Sequence, residues 1–371
     1  METNRHIRKI LIFFALVAII AFGITMLRNE KTATSGNTRW ITDMTGKKVQ
    51  VPDPLTRVAL FGGPTGQIAY ILGARDQICA VTNTLKNSEL VLAFDPSIKE
   101  LPGPRSTSGH INVEALLISR PQLVIAGKLD GSIVRKKTGI PVAYTVSTMN
   151  HDSNLLKNEI RFYASVFGKE ARGEKYIAYL DKTLSFVKSR TASIPVEKRK
   201  KVFNGYGPKH LVTLGGDTFM HERITTAGCS DATSGVSTAG VKEGLHSGLS
   251  EMSMEKVLGW NPDILVIDSG TAEEVYRDPG WKTVTAIRNR QVFKQPVGVF
   301  IWDRPTAEAA VLYPLWLAKT AYPELFADVD MVKEVKKFYG EIMSFNLSDA
   351  QAQMILNGKY GITFAAAEGK R

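Results

Sequence analysis

Asn112-Val113-Glu114-Ala115-Leu116-Leu117, followed by Pro121-Gln122-Leu123-Val124-Ile125, returns as Ser253-Met254-Glu255-Lys256-Val257-Leu258 followed by Pro262-Asp263-Ile264-Leu265-Val266. The offset is a constant 141 residues, with the glutamate, the leucine and the proline in register. Asn and Ser are helix N-cap residues, and a proline turns the residue before it away from helix. A short run of Leu, Val and Ile suits a strand covered on both faces. Each copy reads as a capped helix, a stop and a buried strand, and the chain as one α/β unit used twice.

Outward from these units, strand-like and helix-like signals alternate. Val58–Phe61, Ile78–Val81, Leu123–Ala126 and Val142–Val146 read as strands, and Gln67–Leu72 as a helix before Gly73. Such alternation predicts parallel sheets. Ile41-Thr42-Asp43 and Val49-Gln50-Val51, split at Thr45-Gly46, predict a short hairpin ending at Pro52. Two lobes follow, over 41–152 and 200–330. Between them, Ile177, Leu180, Leu184 and Val187 recur at helical steps and predict a long bridging helix within 153–195, ending before Pro195. A further amphipathic helix is expected over 331–350.

The 371 residues include 44% hydrophobic and 22% charged residues, which is globular material. Cys79 and Cys229 stand far apart, which excludes a disulfide scaffold and a cysteine-clustered metal site. The net charge of +11 favours an anionic partner, but the basic residues are spread along the chain and no nucleic-acid module accompanies them. Arg5, Arg8 and Lys9 precede an apolar run from Ile10 to Leu27. Residues 1–35 therefore read as a cleaved signal peptide or as a signal anchor. The expected location is the periplasm, free or tethered to the inner membrane through that segment. No cysteine lies nearby to carry a lipid.

With the opening Thr42-Asp43, Gly46-Lys47 and Arg57-Val58, the segment Asp278-Pro279-Gly280-Trp281, and the later Arg290-Gln291-Val292-Phe293, Trp316-Leu317-Ala318-Lys319 and Tyr322-Pro323-Glu324, the two repeats resemble the substrate-binding proteins of ABC importers for iron chelates, cobalamin and haem. The resemblance covers roughly residues 41–350. It implies the class III periplasmic binding protein fold: two Rossmann-like lobes joined by one long helix, closing only modestly on a solute. It also implies that Glu114 and Glu255 dock on basic residues of an ABC permease that works with an ATPase. The bland alternative is that both carboxylates complement their helix dipoles.

Ligands of open α/β sheets bind beyond the carboxyl ends of the strands. The loops there supply Gly63, His110 and Lys128 from the first lobe, and Tyr206, His246, Trp302 and Arg304 from the second. Arg304 can fork two hydrogen bonds to an anion, while Trp302 and Tyr206 offer flat apolar contact. Trp302 also reads as a packing residue, and Asp303 as the ion-pair partner of Arg304. The expected ligand is an iron–siderophore or related anionic metal chelate. An oxoanion such as molybdate, haem or cobalamin, and a membrane-tethered sensor on the same lobes are the alternatives. The histidines are scattered singles, so no metal site is expected, nor an intrinsic cofactor. No nucleophile elbow, phosphate loop or dinucleotide fingerprint occurs, so no enzyme is expected.

Overall fold

The buried strand of each repeat lies at the heart of its own parallel sheet. The computed structural model describes residues 37–62, 66–106, 109–146, 149–150, 152–240 and 248–361. In the first lobe a hairpin of β1 (Thr38–Thr42) and β2 (Lys48–Pro52) precedes β3 (Val58–Leu60), α1 (Gly66–Ile71), β4 (Ile78–Ala80), α2 (Asn83–Lys86) and α3 (Glu89–Phe94). Then come α4 (Val113–Ile118), β5 (Leu123–Ala126), α5 (Lys128–Thr138) and β6 (Val142–Tyr144). Two helices follow, α6 (Ser153–Phe167) and α7 (Glu170–Thr191). The second lobe runs β7 (Lys201–Gly205), β8 (Val212–Leu214), α8 (Phe219–Thr226), β9 (Ser230–Asp231) and β10 (Leu249–Glu251). It continues with α9 (Met254–Trp260), β11 (Ile264–Ile267), α10 (Ala272–Arg277), α11 (Thr285–Arg288) and β12 (Val292–Lys294). The chain closes with α12 (Ala307–Ala321), α13 (Met331–Glu341) and α14 (Asp349–Leu356).

The two sheets have the strand orders β4-β3-β5-β6 and β12-β11-β7-β9. Counted within its own lobe, each reads 2-1-3-4 in one direction, and every pairing in both is parallel. The duplication read from the sequence is thus a duplication of topology. Asn112 caps α4 by accepting from Ala115 N, and Ser253 caps α9 by accepting from Lys256 N. The second lobe adds an antiparallel ribbon of β8 and β10.

Strand residues alternate between faces, and the two faces enter different cores. Val58, Leu60, Leu123 and Ile125 of the first sheet share one cluster with Val202, Ile264 and Val266 of the second. The same cluster holds Leu156 and Ile160 of α6, Tyr176, Leu180, Leu184 and Val187 of α7, and Leu312 and Leu315 of α12. The opposite faces pack separately. Ala59, Val124 and Ala126 meet Leu116 and Val134 in one satellite core, while Phe203, Leu265 and Ile267 meet Val257 and Val275 in the other.

The connector expected as a single bridging helix over 153–195 holds two. Gly168, at φ +65°, ends α6 in the left-handed conformation that glycine tolerates, and the 22-residue α7 is the long helix. The end of the expected second lobe, α12, packs on α7 in the shared core. The helix expected over 331–350 is α13, with α14 packed against it. The leader, residues 1–35, lies outside the described residues.

One polar joint sits inside the shared core. Glu308, fully buried in the first turn of α12, accepts from Gln67 Nε2 at 2.8 Å, Tyr339 Oη at 2.6 Å and Val299 N at 3.1 Å. Its own N–H donates to Gln67 Oε1 at 3.0 Å. Gly298 must be glycine here, because a Cβ would stand 1.8 Å from Glu308 Oε1. Burial pushes the Glu308 carboxyl up to about 7 against the pull of these donors. Between its ordinary value of 4.5 and about 7 the unfolded chain gives up this proton while the folded chain keeps it, so the stability it contributes is full below that window and falls as pH rises through it. Glu308→Gln removes the titration. Denaturant unfolding should show wild type losing about 3 kcal/mol relative to E308Q between pH 4.5 and 7.5. Parallel pH profiles for the two proteins would contradict this.

Candidate functional site

In a 2-1-3-4 sheet the chain leaves strands 1 and 3 in opposite directions, which opens a crevice beyond their carboxyl ends. The first lobe brings Phe61-Gly62 and Gly127-Lys128 to that edge, and the second brings Tyr206–His210 and Asp268–Gly270. The loop from Gln295 to Thr306, after β12, joins the second group.

Of the residues singled out in the sequence, Gly63 and His246 lie outside the described residues. His110 is exposed, on a turn where its N–H donates to Ser106 Oγ at 3.0 Å. Lys128 is exposed at the first position of α5. The second-lobe residues Tyr206, Trp302, Asp303 and Arg304 are drawn together. Arg304 Nη1 stands 3.0 Å from Asp303 Oδ1 and donates to Asp303 O at 3.3 Å. The Arg304 side chain is 34% exposed and that of Asp303 2%, so the pair presents a cation outward and hides its anion. Burial raises the Asp303 carboxyl, with Arg304 and Arg223 pulling it back down.

Tyr206 follows β7 and pairs backbone to backbone with Val212. It is 3% exposed, and its hydroxyl has no hydrogen-bond partner among the described residues. Burial, and after it the Asp303 charge, push the phenol well above its ordinary range, so it stays neutral.

Trp302 departs from the expected flat ligand contact. It is 0% exposed and belongs to the shared core, and its packing reading is the one the structure fits. The cause is the loop path: Trp302 N donates to Pro296 O, Arg223 Nη1 donates to Trp302 O, and the indole lies beside Glu308. Trp281 and Trp316 are buried as well.

Two residues here escaped the sequence reading. Arg223, buried in α8, bonds the back of the Trp302–Thr306 segment. His210, 6% exposed at φ +54°, is lowered in pKa chiefly by burial and lines an open hollow of about 420 Å³ with Gly207, Ser269, Gly270, Glu274 and Asp278. A left-handed non-glycine residue carries no sequence signal of its own.

The paired glutamates lie where the repeat puts them. Glu114 and Glu255 are exposed in the first turns of α4 and α9. Each is followed three residues later by an exposed leucine, Leu117 at 49% and Leu258 at 36%. The helix N-terminus and the Ser253 hydroxyl hold Glu255 below the usual carboxylate range. Among the described residues no cluster of His, Cys, Asp and Glu is arranged to hold a metal ion, and no helix is long and apolar enough to cross a membrane.

Tyr206→Phe removes a hydroxyl with no hydrogen-bond partner among the described residues. Denaturant unfolding should therefore find Y206F as stable as wild type or more so, within about 1 kcal/mol. A larger loss would reveal a partner for this hydroxyl.

Residues 58–296 match the family model described as periplasmic binding protein. The chain is 26% identical over 326 residues to the molybdate-binding protein MolA of Haemophilus influenzae, covering 81% of this chain and 90% of that protein. It is 23% identical over 304 residues to the iron(3+)-hydroxamate-binding protein FhuD of Bacillus subtilis, covering 78% and 91%. The crystal structure of a periplasmic solute binding protein from Veillonella parvula shares the fold at a TM-score of 0.73 and 23% identity, over 86% of this chain and 97% of that one. The chain belongs to the periplasmic binding protein family, in the class with two α/β lobes on a helical spine that provides the solute-binding proteins of ABC transporters.

Proposed function

We propose that this protein captures a compact oxoanion of the molybdate type at the carboxyl ends of the second-lobe strands and delivers it to a membrane permease. The carrying observation is the contrast between Arg304 and its aromatic neighbours. The guanidinium is one-third exposed, while Tyr206 and Trp302 are withdrawn to 3% and 0%. A large chelate needs an apolar platform for its ligand shell, and the described residues around Arg304 offer none. A small tetrahedral anion needs a forked donor and loop amides, which Arg304 and the segment after β12 can supply. The likeness to MolA, which by its name binds molybdate, supports the same reading. The iron chelate placed first from sequence becomes the second reading, favoured by the likeness to FhuD.

Delivery is assigned to Glu114 and Glu255, exposed acids at repeat-equivalent places on the two lobes and suited to two arginines of a permease. The work takes place in the periplasm, with residues 1–35 as the address. No covalent step is assigned to the protein, and no cofactor of its own.

Titration calorimetry with molybdate, tungstate, sulfate and a ferric hydroxamate tests the ligand. Molybdate or tungstate should bind tightly and the ferric hydroxamate weakly, with Arg304→Ala costing about a hundredfold in oxoanion affinity. Tight binding of the ferric chelate alone would reverse the assignment. In a reconstituted transporter, Glu114→Lys or Glu255→Lys should abolish stimulation of the ATPase and leave solute affinity within about twofold. Unchanged ATPase would end the docking assignment.

A further inference from the structure

Arg223 is 5% exposed. Its Nη1 donates to Trp302 O at 2.9 Å and its Nη2 to Thr306 O at 3.3 Å, so one guanidinium fastens both ends of the segment that carries Asp303 and Arg304. The guanidinium carbon lies 4.5 Å from the centre of the Phe219 ring. Carbonyls and a ring face do not cancel a full charge, and among the described residues Arg223 forms no ion pair within 4.0 Å. Burial lowers its pKa to about 10, which leaves it protonated at neutral pH.

The carboxylate whose charge reaches Arg223 is that of Asp303. Asp303 is taken by Arg304 at 3.0 Å. Asp268, whose charge also reaches Asp303, accepts from Gly207 N at 3.0 Å through its carboxylate. The hydroxyls of Tyr176, Tyr206 and Tyr313 are neutral, each pushed up in pKa first by burial. Arg223 is left with no carboxylate of its own within 4.0 Å among the described residues. An unmatched buried charge is strongly unfavourable unless something supplies its counter-charge.

We infer that Arg223 is a positioning residue of the anion site: it holds the Trp302–Thr306 segment by its two carbonyls, and its unmatched positive charge draws an anionic ligand to Arg304. This rests on the oxoanion reading and adds a residue to it. Arg223 does not touch the ligand. It acts through the loop and through its field, which the surrounding apolar packing screens poorly.

The purified protein is titrated calorimetrically with sodium molybdate and sodium sulfate as wild type, Arg223→Lys, Arg223→Met, Asp303→Asn and the double variant R223M/D303N. Loss of the charge in R223M should weaken binding at least about tenfold, with R223K intermediate. D303N, which removes a competing anion, should bind about threefold tighter or better, and R223M/D303N should regain most of the loss because the charge balance is restored. A purely structural staple predicts only the gain of D303N itself, so a double variant no tighter than the product of the two single effects overturns the inference. So does R223M binding within about twofold of wild type. If R223M fails to fold, Arg223→Gln carries the test, and affinity within about twofold of wild type in it overturns the inference. Wild type that binds neither anion overturns the oxoanion reading and this inference with it, whereas wild-type binding with an indifferent R223M overturns this inference alone.

Discussion

Parallel strands need apolar cover on both faces, and this chain meets that requirement for two sheets with one set of helices. The inward residues of β3, β5, β7 and β11 all point into a core filled by α6, α7 and α12. Each outward face has its own helices and its own smaller core. Burial of apolar side chains at this density stabilises by roughly 1.5–3 kcal/mol each. The lobes are therefore held by a common interior rather than by a tether, and movement between them must preserve most of it. Interiors packed this closely deform little.

Within that apolar interior the Gln67–Glu308 pair is a directional element. Its two reciprocal hydrogen bonds fix α1 against α12. The loop running into α1 begins at Phe61-Gly62, beyond the first sheet, and the loop running into α12 ends with Arg304 and Thr306, beyond the second. Both candidate ligand loops thus lead into the same buried joint. Ser88 of the first lobe, donating to Val299 O at 2.9 Å, adds a second tie to the same loop.

The fold was legible in the sequence because its signals are local. An N-cap, a proline stop and a short run of branched apolar residues each act within a few positions, and a constant spacing between two copies of the set exposes the duplication. Lobe order, hairpin and paired glutamates follow from that. The connector was read as one helix from Ile177, Leu180, Leu184 and Val187 alone, and the left-handed backbone at Gly168 separates the earlier α6 from α7. The site was legible only in part, since its composition depends on contacts between residues far apart in the chain. Trp302 looks like a ligand platform beside Arg304 until the packing of its loop against Arg223 and Glu308 turns it inward. Arg223 has no signature at all: within Phe219-Met220-His221-Glu222-Arg223 it looks like any solvated helix arginine, and only the tertiary fold buries it.

The shared interior also bears on how such a chain can be dissected. Splitting it between α7 and β7 would part α7 from α12 and divide the one cluster that holds Val58 and Leu123 with Val202 and Ile264. Neither half is a detachable module, however well the sequence repeat advertises two.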